Sequence, residues 1–293
     1  MSSPRTTPPR PVDVAAVFPR LEPLARPALR LHPRRGKPTP YDSSVGGPLL
    51  WPRAQPWPHC DKWHDGPPNP LVPVAQLYAR DIPFLRNATR LDLLQVLWCP
   101  CEHAPDFKPA TELVWRAAAD VTDVLAAPPE PYDVEYEQYL PKPCVLAPEP
   151  ITEYPNLLEL DEETRAQLGD LGRWRAGGVA MDGYEEDPES YYGDALSDAP
   201  GWKVGGWAPW GLTDPIARFC VACGAAMLPL LTVPSTEWWA DEESWVPVED
   251  RGPDGRVDEE VRDPTGVQVS RGNNLQIYGC PNEPWHPHTT LIQ

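Results

Sequence analysis

The sequence predicts an α+β, β-rich fold of two pseudo-repeated antiparallel β units with short helices and long Pro-rich loops. Three observations lead there: an internal repeat, a proline content that excludes long helices, and β-forming runs that stop at Pro, Asp or Asn. The repeat is the strongest. Val45-Gly46-Gly47 followed by Trp51 recurs as Val204-Gly205-Gly206 followed by Trp210. Cys60 is answered by Cys220, and LVPVAQL around Pro73 by MLPLLTV around Pro229. Leu94-Gln95-Val96-x-x-Cys99-Pro100 then recurs as Leu275-Gln276-Ile277-x-x-Cys280-Pro281. Blocks in one order with the same residue types at fixed points mark a duplication. The chain has 42 Pro in 293 residues, and an interior proline removes a helix donor and clashes with the preceding turn. The 13 Trp argue against disorder, which is poor in aromatics.

Taken in order, residues 1–40 form a basic tail and short helix, with eight Lys/Arg against two Asp/Glu. The first ten or so residues read as a loose tail. Asp13 then offers an N-cap, and Val14, Val17, Phe18 and Leu21 have amphipathic spacing. Residues 41–125 are the first β-rich repeat, with strands expected over 71–78, 91–99 and 110–118. Residues 126–199 make a Pro-rich and acidic connection. It carries a surface helix that starts after Asp161 and ends near Gly172, then an acidic loop over 182–198, which holds seven acids and no Lys or Arg. Residues 200–293 are the second repeat. Each double glycine suits a backbone of positive φ or one that lies under an indole ring, with the floor of a ligand groove as the alternative.

Formal charge is −18 from 25 Lys+Arg and 43 Asp+Glu, which excludes a broadly basic nucleic-acid binder. No window approaches the roughly 18 apolar residues a membrane span needs, and the N-terminus lacks the apolar core of a signal peptide. The chain therefore reads as cytoplasmic, with neither nucleic acid nor membrane as partner. Seven Cys, an odd number in a reducing compartment, point to metal binding or plain burial rather than disulfides.

The cysteines gather at the repeat's fixed points. In the second copy, Cys220-x-x-Cys223-Gly224 has the form of a zinc knuckle. Cys280 at a strand end and His286 complete a tetrahedral set, with His288 a further candidate. The first copy offers a second candidate set, Cys60, Cys99, Cys101 and His103. There Trp63 stands where the second knuckle Cys belongs, and His59 and His64 are substitutes within reach. Any zinc is expected to be structural. A redox role for Cys220 and Cys223 lacks the strand and helix of a thioredoxin-like unit, and Cys144 carries no signal. The G-x-S-x-G, P-loop, H-E-x-x-H and G-x-G-x-x-G motifs are absent. A paired-carboxylate glycosidase has only abundance of acids and Trp in its favour.

SSVGGPLLWP, PLVPVAQLY, LLQVLWCPCEH, KVGGWAPW, CVACGAAMLPLL and the final NLQIYGCPNEPWHPH resemble the YwqG-like family of unknown function. They are more distantly similar to the programmed cell death protein 2 family. The first resemblance implies a duplicated β-rich fold and a non-enzymatic role, in some members as immunity protein beside a toxin. The second implies a chaperone for a ribosomal protein. Together with the charge, they give a protein-binding module for a basic partner, with Trp207, Trp210, Trp238 and Trp239 as candidate anchors. The alternatives are a zinc-dependent enzyme using the second-repeat cluster and a structural scaffold.

Overall fold

The computed structural model describes residues 3–86 and 89–293. Twelve strands form two six-stranded antiparallel sheets. They are β1 (Arg26–Arg30), β2 (Arg34–Arg35), β3 (Ser44–Val45), β4 (Val72–Tyr78), β5 (Leu93–His103), β6 (Lys108–Arg116), β7 (Cys144–Val145), β8 (Glu149–Glu153), β9 (Lys203–Gly205), β10 (Leu228–Val233), β11 (Leu275–Gly279) and β12 (Thr289–Ile292). One sheet has the order β12-β11-β10-β9-β1-β8 and the other the order β6-β5-β4-β3-β7-β2. The orders match strand for strand once the first strand of each half, β1 or β7, is exchanged for the other. β1 inserts between β9 and β8, and β7 inserts between β3 and β2.

The duplication therefore extends beyond the sequence boundaries at 41 and 200. β1 and β2 lie in the expected tail region, and β7 and β8 in the expected connection, yet all four are sheet members. Short strands of two to five residues carry too little periodic signal to stand out from Pro-rich flanks.

One face of each sheet meets the other in a shared core. The register aligns Leu29, Val204, Leu231 and Ile277 across one sheet and Cys144, Val45, Ala75 and Val96 across the other, and all eight belong to the largest apolar cluster. Cys144, silent in the sequence, is one of its packing thiols and donates to the Pro264 carbonyl at 3.3 Å. Pro73 and Pro229 sit at equivalent bulges in β4 and β10, where the ladder skips a residue, so the missing N–H costs no ladder bond.

The polar rows beside this core are paired rather than solvated. Gln95 donates to Gln76 at 2.8 Å, and Thr232 donates to Gln276 at 2.7 Å. The Gln76 side chain also accepts from the Leu50 N–H and so fastens the loop after β3.

Three segments differ from expectation. The stretch after Asp161 makes two helices, α1 (Glu162–Leu168) and α2 (Leu171–Ala176), broken at Gly169 and restarted by a second cap from Asp170. Within the acidic stretch, residues Pro188–Ala195 form a helix whose Tyr192 is buried with Phe18 and Trp174; apolar anchors spaced among acids outweigh the local charge. The N-terminal segment is docked from residue 3 onward, and its first two residues lie outside the described residues. Thr7 bonds Glu149, Arg5 pairs with Asp250, and Arg10 donates to the Ala195 and Ser244 carbonyls. Its arginines find buried acceptors, which composition alone does not show. The Asp13 cap forms as expected.

Candidate metal centres

The loops after the two double glycines carry equivalent sets of sulfur and nitrogen donors back to equivalent strands. In the second repeat, a bridge between Phe219 and Ala226 closes a tight turn that brings Cys220 and Cys223 together. Cys280 follows β11, and His286 lies on the segment leading to β12. The four side chains converge, with all donor atoms within 4.8 Å of one another. His286 Nδ1 lies 3.5 Å from Cys220 Sγ and 3.4 Å from Cys280 Sγ, and the Cys223 and Cys280 sulfurs are 3.5 Å apart.

A tetrahedral ion with zinc–sulfur bonds of about 2.3 Å and zinc–nitrogen bonds of about 2.0 Å sets sulfur and nitrogen about 3.5 Å apart and two sulfurs about 3.8 Å apart. The observed spacings match that shell and are far from the roughly 2.05 Å of a disulfide. Burial opposes ionisation of Cys280, but backbone N–H groups of Glu283 and Asn282 and the His286 ring hold its thiol below the ordinary value. The Asn282 amide donates to Cys223 at 3.6 Å. These are the four residues the sequence predicted. His288 is instead turned to Thr111, 2.7 Å from its hydroxyl, and burial lowers its pKa.

The first repeat builds the counterpart from Cys60, His64, Cys99 and His103, again within 4.8 Å. Cys60 Sγ is 3.4 Å from His103 Nε2, and Cys99 Sγ is 3.5 Å from His64 Nε2. The sequence set named Cys101 in place of His64. Residues two apart on a regular strand share a face, but the β5–β6 ladder is irregular between Trp98 and Glu102. Cys101 is turned to the Asp133 carbonyl at 3.6 Å and falls in a separate donor group with His64 and Asp133; burial pushes its thiol up to about 11. A hydrogen bond from Cys99 holds Cys60 down to about 5 and raises Cys99 itself. Burial lowers His64, but its bonds to Cys60 and Asp133 outweigh that and raise it. His64 Nδ1 is 3.2 Å from the Asp133 carboxylate, the outer contact that orients a metal-binding imidazole.

Both sets are thus close enough to hold a metal ion, and thiolate with imidazole is the donor chemistry zinc favours. Trp63, read as a lost ligand, projects from the loop between Cys60 and His64 at 84% exposure. The expected Trp anchors lie elsewhere. Trp207, Trp210 and Trp238 are buried: Trp207 stacks under Arg26 and donates to the Leu24 carbonyl, and Trp210 donates to Glu159. Only Trp239, 51% exposed, remains at the surface. Trp spacing does not distinguish a packed indole from an exposed one, and Trp63 and Trp285, not among the expected anchors, are exposed.

Among the described residues, no helix is long and apolar enough to cross a membrane. No protein-family model matches the chain, and a search of curated proteins finds no match.

Proposed function

We propose that this chain is a non-enzymatic protein-binding module, stapled by two structural zinc ions, that receives a basic partner in an immunity-like or chaperone-like role. The exposed Trp63 at the apex of the first metal loop carries this reading. Around it lies a surface of acids and aromatics. Tyr132 donates to the Pro68 carbonyl at 2.7 Å and Asp133 meets His64, so the 130–137 segment is fixed beside the metal loop. Asp61, Lys62 and Asp65 in the loop and Glu130, Tyr132, Glu135 and Tyr136 in that segment are exposed, with Lys62 paired to Asp61 at 3.6 Å. A rigid indole amid carboxylates suits a basic protein surface, supplying a hydrophobic anchor and electrostatic steering together.

Four protein donors per centre fill a tetrahedral shell, which favours a structural over a catalytic ion. The likeness to YwqG-like sequences also supports a binding scaffold. The test is affinity capture at low salt with wild type and Trp63→Ala. Wild type should retain basic proteins that salt releases, and the variant should retain markedly less at unchanged zinc content. Equal capture by both chains, or none by wild type, would overturn the proposal.

A further inference from the structure

A cavity of about 460 Å³ opens between the two sheets beside the second metal centre. Leu228 and Leu230 of β10 form one wall, Leu113 and Trp115 of β6 face them, and Gly205 and Gly206 lie at its floor. The volume falls within the range of about 300–1,000 Å³ typical of small-molecule pockets. Both floor glycines have positive φ, +74° and +71°, and a Cβ on Gly206 would meet the Glu153 carboxylate at 2.1 Å. Gly46, the counterpart of Gly205 in the first repeat, is packed against Pro141, 2.4 Å from where its Cβ would stand, whereas a Cβ on Gly205 would meet Phe84 at 3.2 Å. The two repeats thus differ at this position, with more room at Gly205 than at Gly46.

The charge at this opening runs against that of the molecule. The chain carries 43 acids and 25 Lys+Arg, yet the cavity is lined by Arg26 and Arg86 and, among the described residues, by no carboxylate; Cys280 and His286 of the metal set also border it, and burial disfavours charge on His288. Neither arginine forms an ion pair with a described carboxylate. Arg26 lies over the Trp207 ring, its guanidinium carbon 3.3 Å from the centroid. Glu159, whose charge reaches Arg26, is engaged by the Trp210 indole. An apolar chamber with a pre-oriented cation at its rim is complementary to an anion with an apolar body.

We propose that this cavity binds a medium-chain carboxylate, its alkyl body between Leu230 and Leu113 and its carboxylate at Arg26. The site is independent of the protein-partner surface at Trp63. The test is titration calorimetry on the metal-loaded full chain, with octanoate as probe and octanol as the uncharged control. Octanoate should bind at one site at least about tenfold more tightly than octanol. Arg26→Gln should remove that difference, about tenfold in octanoate affinity, without changing octanol binding. Leu230→Trp, which fills the chamber, should abolish both. Absence of octanoate binding would overturn the proposal, as would equal affinity for the two probes or wild-type binding by a folded Leu230→Trp. If that variant fails to fold, Arg26→Gln decides alone, and unchanged octanoate affinity in it refutes the site.

Discussion

Glu153 is the residue through which the exchanged strands and the cavity floor depend on each other. It lies on β8, fully buried, and its carboxylate receives Lys203 Nζ at 2.8 Å, the Ala199 N–H at 3.0 Å and the Trp207 N–H at 2.8 Å. Replacing it by Gln keeps the shape but removes the carboxylate bonded to the Lys203 ammonium, also fully buried, leaving Asp198 as the remaining acid in its field, and turns an amide N–H toward a donor. Breaking a buried pair from one side costs about 3–5 kcal/mol, a large share of a typical total of about 5–15 kcal/mol. Lys203→Met should cost less, about 1–3 kcal/mol, because the carboxylate keeps two backbone donors. The double variant removes the stranded charge and should be more stable than Glu153→Gln alone, by about 1–3 kcal/mol. Urea unfolding of the four chains at equal zinc content measures this cycle. Additive losses, or a Glu153→Gln midpoint equal to wild type, would refute the argument that this carboxylate is held by charge and backbone together.

Elemental analysis should find two zinc ions per chain, one after Cys220→Ser or His64→Ala, and still two after Cys101→Ser; loss of zinc from the last would restore the set read from sequence. Trp98→Ala, which empties a fully buried core position, should cost about 3–5 kcal/mol, whereas Trp63→Ala should stay within about 0.5 kcal/mol of wild type; thermal unfolding separates them. Burial lifts the Glu237 carboxyl from 4.5 to about 7, so over that interval the folded chain retains a proton that the unfolded chain has released. Its contribution to stability therefore falls as pH rises from about 4.5 to about 7. Glu237→Gln keeps an acceptor for the Trp202 N–H and should gain on wild type across that interval in urea midpoints; a constant difference would show that the side chain does not titrate there.

The long elements were legible because their signals are local. LVPVAQLY and LLQVLWC become β4 and β5, and the Asp13 and Asp161 caps form where Asp precedes a helical pattern. The second metal set was legible because its knuckle, strand end and His lie at fixed points of the repeat. What escaped depended on contacts distant in sequence. β1 and β7 are strands only because the other half provides their neighbours, and His64 replaces Cys101 only because β5 is irregular before Glu102. The packing of Gly46 depends in the same way on Pro141, about 95 residues from it in the sequence and against it in space.

The placement of β1 and β7 gives this chain the topology of a reciprocal domain swap carried out within one molecule. Each half donates its first strand to the other sheet, so neither half closes alone: a chain cut between β6 and β7 leaves two pieces, each missing a central strand of its own sheet. Such pieces remain interlocked when the cut is made in the folded protein, and a half produced separately is complete only as a strand-exchanged homodimer. The fused chain thus behaves as a two-subunit assembly whose stoichiometry is fixed covalently. Covalent linkage also lets the two halves carry different donor sets, two Cys with two His in one and three Cys with one His in the other, which a symmetric dimer of identical chains cannot do.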